Sequence, residues 1–352
     1  MKLNYEQVKS IATGAEIIEE SREGFCFSRF TEEQNVLYKN RTEDCYIRSL
    51  STAGIKLCFK TDSQTLFMKV RTSPGSSRKY FSVDVYVNDE SVGCINNFSA
   101  CTMPRKYIAT ELVLGEYEKT FELWDGMKIV TVYLPWSTDT VIEEISIDDG
   151  AVIQPIKRPK TLLAFGDSIT QGYDALQSSM TYVARLARAL DADETNKGIG
   201  GEMFFPELAA SREGFVPDYV TVAYGVNDWS HRTRDEFELN CREFFRELSN
   251  NYPNSKKFVI TPIWTALHKE KRPTGKFGEL DGIIRSCVED ESITVISGTD
   301  LVPHDTGLFA DLEVHPNDKG FEHYFENLLW QMTWRTEFIP QTMHTLVKCE
   351  RF

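Results

Sequence analysis

The sequence has no CxxC pair, no HExxH or closely spaced Cys/His set, no excess of basic charge, no low-complexity tract and no internal repeat. No stretch approaches the roughly eighteen apolar residues of a membrane span, so no membrane partner is expected. The opening, MKLNYEQVKSIATGAEIIEE, lacks the basic segment followed by an apolar core that marks a secretory leader, and a soluble, cytoplasmic chain is expected. Lys plus Arg number 39 against 53 Asp plus Glu, a formal net charge of −14. That field repels phosphate backbones and anionic lipid alike, so no nucleic-acid partner is expected. The eight cysteines, Cys349 among them, are scattered through apolar contexts such as Leu57-Cys58-Phe59 and read as buried free thiols of a reducing compartment. His231, His268, His304, His323 and His344 show no ligand spacing, and neither metal nor cofactor is expected.

What is present divides in two. At about 150 residues per domain, 352 residues imply two domains, and a hydrophobic content of 41% is enough for each to bury a core. Residues 55–60, 65–71, 80–87, 117–124, 128–134 and 141–147 are rich in β-branched and aromatic residues. Gly, Pro, Asn or Asp bounds each of them, as in the Asn88-Asp89 and Asp125-Gly126 turns. With no long helical pattern between these strands, residues 1–157 are expected to form an antiparallel, jelly-roll-like β-sandwich. After the connector at 154–160 the period changes. Apolar strands at 161–165, 194–197, 219–224, 258–261 and 293–297 alternate with amphipathic helices. One carries Phe237, Cys241, Phe244, Phe245 and Leu248 behind a Thr233–Glu236 capping box; another carries Ile283, Ile284, Cys287 and Val288; a last one runs over 318–334. Such alternation predicts an α/β domain over 161–352, with a flavodoxin-like parallel sheet whose ligands bind beyond the carboxyl ends of its strands.

The unusual polar residues of this second half fall just after those strands. The blocks are Gly166-Asp167-Ser168-Ile169, Gly198-Ile199-Gly200-Gly201, Gly225-Val226-Asn227-Asp228 and His315-Pro316-Asn317-Asp318. Glycine before a serine at a strand-to-helix turn lets the backbone approach closely and presents the hydroxyl near a helix N-terminus. Asp167 beside it is expected to support the turn through backbone hydrogen bonds.

In these four ordered blocks the chain resembles the SGNH (GDSL) hydrolase superfamily. The resemblance covers about residues 161–335 and implies that Ser168 is the nucleophile and His315 the general base, with the Ser168 amide, the Gly201 amide and Asn227 forming the oxyanion hole. Elementary chemistry agrees: a serine hydroxyl is a poor nucleophile until an imidazole takes its proton, and a tetrahedral oxyanion needs fixed donors. The acid departs from the family's pattern of an Asp three residues before the His, because position 312 is Leu, flanked by Asp311 and Glu313. In an extended chain Glu313 shares the face of His315, whereas in a helix-like turn Asp311 comes within reach. The family's spacing requires a turn, which favours Asp311 over Glu313 and over a backbone carbonyl or water.

A second resemblance, resting on domain order and on the phrases YFSVDVYVN and TVYLPWS, is to the carbohydrate esterases of family 2. It implies removal of O-acetyl groups from sugar hydroxyls, with an oligosaccharide ester as the partner. Trp264 and Trp229 follow strand ends, where an aromatic ring could stack on a sugar, and both are candidate substrate-binding residues. The competing expectations are another short-acyl substrate, such as a lipid or thioester, and a glycan-binding protein without activity.

Overall fold

The structure is a computed structural model that describes residues 1–336. Cys349 and His344 lie outside the described residues. Two antiparallel sheets form the N-terminal half. In one, Lys56–Thr61, Lys128–Tyr133 and Ser82–Val87 pair in that order, with Glu90–Asn96 outermost. In the other, Gly24–Ser28, Thr138–Ile147, Thr65–Pro74 and Glu116–Glu122 do so. Along Thr65–Pro74 the residues Leu66, Met68 and Val70 point inward at period two, meeting Phe59, Val85 and Val132 of the facing sheet. This is the expected sandwich.

The first half also holds three helices that hydrophobic period alone does not disclose, Tyr5–Ile11, Glu32–Lys39 and Glu43–Ser49. Their signal is in the caps. Asn4 with Gln7 and Thr31 with Gln34 form reciprocal capping boxes, and Thr42 accepts from the Cys45 amide.

The second half is a five-stranded parallel sheet in which Ala192–Asn196, Lys160–Gly166, Tyr219–Ala223, Lys256–Ile260 and Ile293–Ile296 lie side by side in that order. The first strand in sequence is therefore flanked by the second and third. Successive residues of Lys160–Gly166 go to opposite cores: Leu162 and Ala164 pack with Tyr182–Ala189 and Asp318–Thr336, while Leu163 and Phe165 pack with Arg234–Asn251 and Leu280–Cys287. The Thr233–Glu236 capping box is formed as expected. The seven described cysteines are free, although only Cys58, Cys241 and Cys287 are buried and Cys101 is exposed. Among the described residues no helix is long and apolar enough to cross a membrane.

The two halves meet through buried polar contacts. Arg29, fully buried, donates to the carbonyls of Arg48 and Ser51 on its own side and of Asn196 and Gly198 across the junction. Gln171 donates to Ser51 Oγ and to the carbonyls of Gly75 and Trp136. Asp84 accepts from the amide and hydroxyl of Ser179.

Candidate active site

The strand Lys160–Gly166 ends in Asp167, whose carboxylate caps the one-turn helix Ser168–Gln171 by accepting from the Ile169 amide at 3.0 Å. A Cβ on Gly166 would come within 2.0 Å of Thr170 Oγ1, so only glycine permits this turn. Burial pushes the Asp167 carboxyl up to about 7 against the pull of the Ile169 amide and of His315. Its role in the turn is the one its position suggests.

Ser168 Oγ lies 2.8 Å from His315 Nε2, and His315 Nδ1 lies 2.7 Å from Asp311 Oδ2. The four-residue spacing is resolved by the backbone. Leu312 is left-handed, with φ of 65°, and the turn curls around Asp311 Oδ1, which accepts from the amides of Glu313, Val314 and His315 at 2.9, 2.8 and 3.1 Å. The inserted residue is thus absorbed in one tight turn, whose local cost is offset by three charge-assisted hydrogen bonds. Glu313 turns away. Its carboxylate is 3.6 Å from Lys106, and its carbonyl accepts from the Ala266 amide and Thr265 hydroxyl.

Burial opposes the charged form of Asp311, but the hydrogen bond and charge of His315 and the backbone amides outweigh it and hold the carboxyl well below the usual range. Burial likewise works against a charged His315. The bond to Asp311 and the charges of Asp174 and Asp311 prevail, and its pKa is raised above the ordinary 6.5.

On the neighbouring strand ends, Asn196 ties its loop together by donating to the Thr170 carbonyl and accepting from the Gly198 amide. The Gly200 amide donates to Gln171 Oε1, and Gly201 turns the chain with φ of 79°. Asn227 stands at the start of Val226–His231, after the next strand but one in sequence, and spends one amide hydrogen on the Glu202 carbonyl at 2.9 Å. The parallel order sets these two loops on either side of Ser168.

Trp264, Asp167, Ile169, Val226 and Val314 line a cavity of about 20 Å³ beside the serine turn. Trp264 is stacked on His304 at 5.1 Å, which covers one face of its indole. Trp229 corrects the expectation drawn from its position: it is fully buried, donates to the Gly275 carbonyl and meets Phe277 edge-on, so it is a core residue and no sugar can reach it. The helix Val226–His231 turns its ring inward.

Several residues at the site carry no local sequence signal. Asp174, wholly buried, has Oδ2 at 3.6 Å from His315 Nδ1. Arg48 donates to the Gly200 carbonyl at 2.6 Å, and Arg41 pairs with Glu202 at 2.5 Å, so the helix Glu43–Ser49 and the turn before it brace the Gly201 loop. Among the described residues one group has metal-competent side chains, Asp174, Asp311 and His315. Each already faces an internal partner, Asp174 with Arg78 and Asp311 with backbone amides, and the group is an ion-pair network.

Residues 164–323 match the GDSL-like Lipase/Acylhydrolase family. No curated protein matches the chain by sequence. Among solved structures, the salicylyl-acyltransferase SsfX3 of a tetracycline biosynthetic pathway is 18% identical, covers 92% of this chain and 93% of its own, and has a TM-score of 0.75. A family two carbohydrate esterase from Clostridium thermocellum, solved with cellohexaose, is 14% identical over 82% of this chain and 94% of its own, with a TM-score of 0.61. An acetyl xylan esterase from the rumen bacterium Butyrivibrio proteoclasticus is 16% identical over 81% and 91%, with a TM-score of 0.56. These likenesses extend over both halves of the chain and establish the shared two-part fold.

Proposed function

We propose, for a chain whose residues 164–323 form a GDSL-like lipase/acylhydrolase domain and which is thereby a carboxylic ester hydrolase, that it removes O-acetyl groups from oligosaccharides through an acyl-enzyme. The observation that carries this reading is the relay of Ser168, His315 and Asp311 at 2.8 and 2.7 Å.

Ser168 Oγ attacks the ester carbonyl while His315 Nε2 takes its proton; Asp311 fixes the Nδ1–H tautomer and stabilises the imidazolium. The amides of Ser168 and Gly201 and the free hydrogen of Asn227 hold the oxyanion. As the intermediate collapses, His315 returns the proton to the departing sugar oxygen, leaving acetyl on Ser168. A water, deprotonated by His315, then attacks the acetyl group; acetate leaves and Ser168 recovers its proton. The cavity beside the serine turn has room for a group the size of a methyl. The carbohydrate esterases that share the two-part architecture support a sugar as the alcohol. Free thiols at the seven described cysteines suit a reducing, cytoplasmic setting and short imported fragments.

The test is acetate release from acetylated xylo-, manno- and cello-oligosaccharides, with a long-chain nitrophenyl ester as control. Release should fall on Ser168→Ala by on the order of 10⁴ or more. A Ser168→Ala protein that retains more than a few per cent of wild-type release removes the serine mechanism. Preference for the long-chain ester, or transfer to an added alcohol in place of water, moves the substrate to a different acyl class or acceptor.

A further inference from the structure

Asp174 lies outside all four strand-end blocks and outside the relay, yet four groups converge on it. Arg78 grips its carboxylate from two nitrogens, Nε to Oδ1 at 2.6 Å and Nη2 to Oδ2 at 3.0 Å. The Tyr80 hydroxyl donates to Oδ1 at 2.9 Å, and the Tyr107 hydroxyl donates to the Asp174 carbonyl at 2.7 Å. All three partners belong to the sandwich half. The fourth is His315, whose Nδ1 is 3.6 Å from Oδ2, too long for a hydrogen bond but well inside the range of a strong charge interaction in a buried site. Asp174 itself is left-handed, with φ of 72°, a conformation that Asp tolerates better than most residues. The neighbouring Tyr173 packs its ring 5.5 Å from that of His315 and lies 5.1 Å beneath Arg78.

We propose that Asp174 is a second positioning carboxylate for His315, and that Arg78, delivered by the sandwich half, holds it in place, so that the N-terminal half is a working part of the active site. The proposal rests on His315 being the general base. Asp311 takes the Nδ1 proton; Asp174 adds a second negative charge on the same side of the ring, favouring the imidazolium that forms as Ser168 is deprotonated. The bidentate guanidinium fixes the orientation of that carboxylate. The other charged or titratable groups around His315 are Asp311, Asp167, Arg78 and Tyr173, with the Lys106–Glu313 pair two residues away. Arg78 opposes the imidazolium and both carboxylates favour it; removing Asp174 therefore lowers the affinity of His315 for its proton.

Asp174→Asn is the direct test, because Asn accepts the left-handed backbone and keeps the size of the side chain while it removes the charge and one acceptor oxygen. Activity requires neutral His315, so the acid limb of kcat/KM for nitrophenyl acetate should move to lower pH, by about one unit. Turnover above the limb should fall roughly tenfold, with KM unchanged. The His315 ring titration, followed by NMR in Ser168→Ala and in Ser168→Ala with Asp174→Asn, should shift in the same direction. Arg78→Lys, which keeps the charge but not the two-nitrogen grip, should move the limb less than Asp174→Asn does. A folded Asp174→Asn protein with the wild-type limb and turnover, or one that has lost only thermal stability, overturns the proposal. Should the single variant fail to fold, Arg78→Met with Asp174→Asn removes both charges together and is judged by the same limb. Should Ser168→Ala keep its activity, the serine reading fails, while the NMR titration still decides whether Asp174 is coupled to His315.

Discussion

The two halves of the molecule contribute to one site in different ways. The parallel-sheet half presents its groups from loops at adjacent strand ends: Ser168 after one strand, the Gly201 loop and Asn227 after its two neighbours, and the Asp311–His315 turn before the last helix. The sandwich half supplies none of the three residues of the proposed relay. It sends long, charged side chains across the junction to hold those loops from behind, Arg29 and Arg48 on the Gly201 side and Arg78 on the His315 side. Sheet topology alone can place reactive groups within reach of one another. Holding those loops to the fraction of an ångström that catalysis needs draws on buried hydrogen bonds from a neighbour.

That contrast can be broken in order of effect. If the parallel-sheet half holds the whole relay, Asp311→Asn should reduce turnover by on the order of 10³ to 10⁴, since a neutral amide both mis-sets the His315 tautomer and cannot stabilise the imidazolium. Glu313→Gln should change little, because that side chain faces Lys106. A large loss on Glu313→Gln with a mild one on Asp311→Asn would relocate the acid. Next in size is Asn227→Ala, expected to lower turnover by roughly 10² to 10³ with little change in KM, as loss of one preorganised oxyanion donor does. A strong rise in KM at unchanged turnover would make Asn227 a substrate-binding residue instead.

The smallest effect on chemistry and the largest on cohesion should come from Arg29→Met. Four buried carbonyls lose their donor, a loss of about 3 kcal/mol or more that thermal unfolding would record as a drop in Tm on the order of 5–10 °C. Turnover at low temperature should fall only severalfold. A variant with wild-type stability would show that the two halves cohere without this arginine, and one with no turnover despite a native Tm would make Arg29 a member of the site.

Fold class was legible because hydrophobic period is a local property. Leu162 to Phe165, apolar at every position, is what a strand covered on both faces requires; Leu66, Met68 and Val70, alternating with polar residues, is what a half-covered one requires. The capped helices Glu32–Lys39 and Glu43–Ser49 escape the period because they are short and their inward faces are mixed, as with buried Gln34 and Ser49. Trp229 shows the limit of reading position for exposure. It follows a strand end in sequence, but the direction in which a helix turns its side chain depends on what packs there, and Phe277 and Arg272 enclose it.

The strand-end blocks, through the resemblance to the SGNH hydrolases that they carry, brought Ser168, Gly201, Asn227 and His315 forward as candidates. The choice between Asp311 and Glu313 was decided only by the left-handed Leu312, a backbone state that neither residue's identity encodes. Asp174 and Arg78, 96 positions apart, were decided only by tertiary structure. An ion pair between distant residues leaves no period and no spacing in a single chain; it exists once the two cores have packed and carried their loops to the same place.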